Sequence, residues 1–313
     1  MIIANFLNKF SNEKGINNII LSLCEAAFKI AEGINDNDYL IDKNTKNMDG
    51  DLQKPLDIFS DLTLIDSLKC DDVAAYCSEE QKGILKLNKN GKFLVITDPL
   101  DGSSNIESNV SIGTIFSIIP TNSLKPEDAI FQEGKKQVCS GFFVYGPRTT
   151  LFLTFKNGTH LFCLNKKLNN FELMQKDILI QKSTSEFSIN SSYKRFWNNK
   201  VFNYIENCER GLDGPRKKDF SMRWVGSLVA DASRIFTRGG IFLYPDDIRE
   251  KNKNGRLRLA YEANPIALLV EQAGGLATDG NKNILDIEIK QIHQRTSFIF
   301  GSKEEVDTFL NTE

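Results

Sequence analysis

Residues 92–105 read KFLVITDPLDGSSN, and the rest of the chain is best understood outward from them. KFLVI is a short, unbroken apolar run, the pattern of a strand buried on both faces. It ends in two aspartates three apart, Asp98 and Asp101, separated by Pro99 and Leu100 and followed by Gly102, Ser103 and Ser104. Two like charges at the end of a buried strand need compensation. One explanation is an acidic turn in contact with water. The other is a positively charged partner.

The chain has 313 residues, enough for one large α/β domain or two smaller ones. Hydrophobic residues make up 41% and charged residues 26%, the balance of a globular protein. The formal net charge of -2 offers no global field for nucleic acid, so acidic ligands must be held by local basic residues. No apolar run approaches the roughly 20 residues of a membrane helix. The opening MIIANFLNKFSNEKG lacks the features of a secretory signal, and the expected location is cytoplasmic. Six scattered cysteines without a CxxC pair read as reduced structural thiols. With only two histidines, His160 and His293, a His-based zinc site or a Ser-His-Asp triad is disfavoured.

Residues 16–33 carry helical periodicity and are expected to stop at Gly33 as a C-cap. Residues 42–56 form a polar loop long enough to be functional, and a second helix follows. From residue 92 to 164, closely spaced runs rich in β-branched and aromatic residues predict a mainly antiparallel sheet flanked by the early helices. The second half mixes helices (227–236, 262–275) with strands (239–245, 296–301), and 250–256 reads as an exposed basic loop. The pattern predicts an α/β protein with two layered lobes, 1–183 and 184–313, sharing one cleft.

Carboxylates recur where these segments end: Glu79 and Glu80 in CSEEQ, Asp98 and Asp101 in DPLDG, Glu262 in YEANP, with Asp51 and Asp57 in and after the polar loop. Oxygen-only ligands suit hard cations such as Mg²⁺ or Mn²⁺. A rigid turn at Pro99 would aim both aspartates at one point, with the Leu100 carbonyl beside them. Gly102 permits close backbone approach, and Ser103, Ser104 and the following N–H groups can bind phosphate. Acids for metal beside small donors for phosphate suggest metal-assisted phosphoryl transfer to water. Each motif alone has an ordinary reading: a solvated acidic pair, an acidic turn, a helix N-terminal acid.

The longer runs DPLDGSSNIESNVSIGTIFSI, GGIFLYP, NGRLRLAYEANPIALLVEQAGG and IHQR resemble class 1 fructose-1,6-bisphosphatases, within the lithium-sensitive metal-dependent phosphatase superfamily. The likeness spans about 16–310. It implies a five-layer αβαβα sandwich and hydrolysis of the 1-phosphate of fructose 1,6-bisphosphate with Mg²⁺. Metal roles then fall on Glu79, Glu80, Asp98, Asp101, Glu262 and the carbonyl of Leu100. Asp51 would contact a loop-associated metal, and Asp57 with Glu80 would orient and deprotonate the attacking water. The 1-phosphate would sit on Asp101, Gly102, Ser103 and Ser104. Asn190, Tyr193 and Tyr244 would bind the second phosphate or the sugar, and Arg223 would reach that phosphate across an interface of a homotetramer.

Two positions depart from the family pattern. Trp224 stands where tyrosine is usual and loses the phenolic acceptor. Arg256 stands where lysine is usual and presents a planar fork. Both lie on the second-phosphate side, so sedoheptulose 1,7-bisphosphate is the competing substrate. The stretch EKGIN (13–17), Phe93 and Pro120 replace most donors of the family's AMP site, leaving Lys92, so AMP inhibition is expected to be weak or absent. A monophosphate-specific phosphatase and a catalytically dead homologue are the remaining alternatives.

Overall fold

The computed structural model describes all residues except Asn12, 37–44, 47–51 and Ser123, with only the backbone described at Asp36, Thr45, Lys46, Leu52 and Gln53. Among the described residues the larger sheet has eight strands. In spatial order they are Asn170–Gln175, Thr159–Asn165, Thr150–Thr154, Cys139–Tyr145, Ile112–Pro120, Phe93–Asp101, Val73–Ser78 and Leu85–Lys86. Neighbouring strands are antiparallel except Val73–Ser78 beside Phe93–Asp101, which run parallel. The apolar run at 93–97 is therefore an interior strand, covered on both faces as its composition predicts.

Side-chain alternation divides the core. Phe93 and Val95 face the helices Ile3–Phe10, Lys14–Asp36 and Pro55–Ser67. Leu94 and Ile96 face the helices Leu228–Arg238 and Asn264–Gln272. Beyond those two helices lies a five-stranded sheet ordered Ser221–Met222, Glu186–Ser188, Ile241–Tyr244, Phe298–Gly301 and Leu276–Thr278. Phe242, Phe298 and Phe300 point inward, whereas Ile241, Leu243 and Ile299 pack outward on Asn199–Glu209 and Lys303–Leu310. The result is five layers, helices–sheet–helices–sheet–helices, as the resemblance implies. Each fully buried large apolar side chain contributes on the order of 2 kcal/mol of transfer free energy.

Two local expectations need correction. The helix does not stop at Gly33 but runs on to Asp36. Gly33 is instead a packing residue, because a Cβ there would lie 2.6 Å from the Phe59 ring of the neighbouring helix. The segment 250–256 is not simply exposed either. Asn252 is buried and donates to Asp247 Oδ2 at 2.8 Å, and Arg256 is half-buried. All six cysteines are free thiols, as their scatter predicts, and Cys139 is buried in the strand Cys139–Tyr145. Among the described residues no helix is long and apolar enough to cross a membrane.

Candidate active site

The strand Phe93–Asp101 continues through both aspartates, so DPLDG does not begin as a turn. Asp98 pairs with Ile115 and Asp101 with Gly113, leaving Pro99 and Leu100 opposite Thr114 alone. That is a β-bulge, placed where proline has no N–H to give the ladder. Thr114 Oγ1 satisfies the Pro99 carbonyl at 2.9 Å. In a regular strand, residues three apart point to opposite faces. The extra residue reverses that parity, so Asp98 and Asp101 share one face while the Leu100 side chain packs among the early helices.

Glu262 meets them from the other half of the chain. It lies in the wide turn Leu259–Ala263 that precedes Asn264–Gln272. Carboxylate oxygens of Asp98, Asp101 and Glu262 lie within 4.8 Å of one another, and all three residues are buried. Burial first, and then the neighbouring acids, push the Asp98 carboxyl well above the usual range. Burial raises Asp101 to about 6 against the bonds it accepts, and raises Glu262 to about 8 with help from Glu79. Such a set favours either retained protons or a bound cation. Three converging oxygen donors fit a hard divalent ion.

One positive group already sits here, and sequence reasoning assigned it no role. Arg258 Nη2 lies 3.0 Å from Glu79 Oε1, and the Arg258 main-chain N–H donates to Glu262 Oε2 at 2.5 Å. Ser227 carries no separate signal in the sequence either. Its hydroxyl and the Val229 N–H, at the start of Leu228–Arg238, donate to Asp101 Oδ2 at 3.0 and 2.9 Å. A carboxylate in this position is favoured by the helix dipole.

Gly102 has φ +78, and a Cβ on it would lie 2.9 Å from that of Ser227, so both conformation and space require glycine. Ser103–Asn105 then forms a single 3₁₀ turn. Asp98, Leu100, Asp101 and Gly102 to Ser104 line one cavity of about 270 Å³ together with Glu79 and Glu262. Asp57 approaches from the third residue of its helix. It accepts the Lys54 N–H at 2.8 Å and hydrogen-bonds Ser103. Burial raises its carboxyl to about 6, Glu79 adding to the shift and the two hydrogen bonds opposing it. Glu80 follows Glu79 in the turn after Val73–Ser78. Asp51 lies outside the described residues.

Trp224 and Tyr244 line the cavity's other wall, where Trp224 stacks on Phe242 at 5.7 Å and 10°. Beyond them the Arg256 guanidinium sits 4.9 Å from the Tyr193 ring centroid and 5.1 Å from that of Tyr244. A hydrogen bond from Arg256 lowers the Tyr193 phenol below its usual range. Asn190 caps the 3₁₀ turn Ser191–Phe196, its Oδ1 accepting from Ser192 N and Oγ. Arg223 does not join this group. It is half-exposed, its Nε 3.8 Å from Glu186 Oε1, in a cluster with Arg234 and Arg238.

Comparison with known proteins bears on the family and the fold. The family description "Fructose-1-6-bisphosphatase, N-terminal domain" matches residues 1–176, and "Fructose-1-6-bisphosphatase, C-terminal domain" matches 180–312. A protein of Azorhizobium caulinodans named fructose-1,6-bisphosphatase class 1 is 51% identical over 263 residues, 83% of this chain and 80% of its own. A Xanthobacter autotrophicus relative is 48% identical over 264 residues, with the same coverage of 83% and 80%. The crystal structure of Leishmania major fructose-1,6-bisphosphatase in holo form superposes with a TM-score of 0.92 at 32% identity, covering 99% of this chain and 98% of that one. Matched along nearly its whole length by both family descriptions, the chain belongs to the fructose-1,6-bisphosphatase family.

Proposed function

We propose that the protein hydrolyses the 1-phosphate of fructose 1,6-bisphosphate in a Mg²⁺-dependent reaction, giving fructose 6-phosphate and phosphate. The observation that carries this reading is the convergence of buried Asp98, Asp101 and Glu262 beside the Gly102–Ser104 backbone. Glu79, Glu80 and the Leu100 carbonyl complete the proposed ligand set, with Mn²⁺ as an alternative ion. When bound there, divalent cations supply neutralisation of charge on the phosphoryl and leaving oxygens.

The chain's own groups do the rest. N–H groups from Gly102 onward and the Ser103 and Ser104 hydroxyls hold the 1-phosphate. Asp57, raised to about 6, is mostly ionised at neutral pH yet basic enough to take a proton from the attacking water, with Glu80 orienting that water. The Arg256 fork, Tyr193 and Tyr244 receive the second phosphate and the sugar, Asn190 offering its amide N–H group. Trp224 supplies an apolar wall. Asp51, as the family resemblance implies, would contact a loop-associated metal. Arg223, turned towards Glu186, suits a role at a neighbouring subunit in a homotetramer working in the cytoplasm.

Phosphate release is the test, measured with fructose 1,6-bisphosphate, the seven-carbon bisphosphate and sugar monophosphates, with Mg²⁺ and with a chelator. Fast Mg²⁺-dependent release from the six-carbon bisphosphate is expected. A preference for monophosphates, or no turnover, would sink the reading.

A further inference from the structure

We propose that Asp61 is a positioning residue, a buried clamp that sets the spacing of the carboxylates on three separate segments of the site. This rests on the metal-dependent reading above. Asp61 lies one turn after Asp57 on the same face of Pro55–Ser67 and is 3% exposed. Its Oδ1 accepts from Tyr76 Oη at 2.8 Å and Ser78 Oγ at 2.7 Å, and its Oδ2 accepts from Gln81 Nε2. Ser78 and Gln81 bracket Glu79 and Glu80. Because the Tyr76 hydroxyl gives its proton to Asp61, the Thr97 hydroxyl 2.7 Å away donates to Tyr76. Thr97 is next to Asp98, and its carbonyl accepts the Glu79 N–H at 3.2 Å.

One carboxylate therefore joins the helix of Asp57, the turn of Glu79 and Glu80, and, through a single hydroxyl, the strand of Asp98. An apolar side chain would hold this helix against the sheet without the cost of burying a charge. What the acid adds is fixed donor positions at residues flanking proposed ligands. Outer-shell partners of this kind orient the groups that touch an ion.

Asp61→Asn alone is a poor test, because Gln81 would turn its amide and keep the contact. Gln81→Leu removes the turn's link to Asp61 while leaving the Tyr76 and Ser78 bonds. The reciprocal pair Asp61→Asn with Gln81→Glu exchanges donor and acceptor across the same contact. Mn²⁺ binding to the substrate-free protein is read by electron paramagnetic resonance, alongside the Mg²⁺ needed for half-maximal phosphate release, the KM for bisphosphate and the melting temperature. Gln81→Leu is expected to weaken Mn²⁺ binding about 10-fold, the lower end for outer-shell partners, with little change in KM, and the reciprocal pair to recover most of the loss. Unchanged Mn²⁺ affinity in Gln81→Leu, or no recovery in the pair, overturns the clamp. A wild-type protein that binds no Mn²⁺ overturns the metal reading and the clamp together.

Discussion

The Arg258 guanidinium and the Glu79 carboxylate face each other at 3.0 Å, both mostly shielded from solvent. Arg258 thus supplies part of the positive charge that the acids require in the metal-free protein. Arg258→Met should destabilise that form by up to roughly 3–5 kcal/mol, the range for removing one partner of a buried ion pair. Saturating Mg²⁺ should recover most of this, since it neutralises the same carboxylates. Urea denaturation with chelator and with Mg²⁺ would measure both. Equal losses in the two conditions would contradict a shared role.

Raised carboxyls give the metal-free protein a defined pH response. Ordinary values are 3.8 for Asp and 4.5 for Glu, whereas Asp101 stands near 6, Glu262 near 8, and Asp98 well above its usual range, chiefly through burial. Between those limits the folded state binds more protons than the unfolded one, so stability falls as pH rises. The contribution is fully present below the unfolded values and is lost as pH climbs through about 6 and then 8. Melting temperatures measured with chelator should fall across this window, and Mg²⁺ should flatten the curve. A flat curve with chelator would mean that the acids are compensated in another way.

The same retained protons must leave when a cation binds. Calorimetry of Mn²⁺ binding at neutral pH, in buffers of different ionisation enthalpy, should show net proton release that diminishes as pH rises past 8, the region of Glu262. Proton release that does not vary with pH would argue against these carboxyls as ligands.

Asp101→Asn separates chemistry from folding. Asparagine keeps an oxygen to accept from Ser227 and Val229, so the melting temperature should change little. It removes the charge offered to the cation, and phosphate release should fall at least about 100-fold. Full activity in this variant would remove the aspartate pair from the mechanism.

Much of the layering is legible in the sequence because strands covered on both faces read as apolar runs, and helices flanking them keep a helical period. The extent of Lys14–Asp36 is not legible, since Gly33 has the composition of a stop and only the nearby Phe59 ring shows why glycine is needed inside the helix. DPLD looks like a turn because its bulge exists only relative to the partner strand. Arg258 carries a faint signal, four residues before Glu262, but RLRLAYE holds two arginines and does not reveal which of them meets which acid. Asp61 carries none: an aspartate in a helical run ordinarily faces solvent, and its three donors come from residues 15 to 20 positions away.

Arg256 couples to Tyr193 strongly enough to lower its phenol. Arg256→Met should raise the KM for bisphosphate more than it lowers kcat, because the contact is remote from the reacting phosphate. Ultraviolet titration should show one tyrosine moving to higher pH. A kcat effect larger than the KM effect would place Arg256 in the chemistry instead.

AMP should inhibit weakly or not at all. Gly15 of the EKGIN segment lies against Asp72 and Phe93, where an added Cβ would come within 2.9 Å of both side chains. Strong inhibition by micromolar AMP would overturn this expectation.

The bulge at Pro99 and Leu100 has a consequence for chain length. Deleting either residue would leave Asp98 and Asp101 two apart, opposite Ile115 and Gly113 in a regular ladder and still on one face. A single inserted residue followed by a regular ladder would do the opposite, sending one acid into the hydrocarbon of Lys14–Asp36 and its neighbours. The facing of the two acids is therefore a matter of odd and even count, which survives the loss of one residue here and not the gain of one.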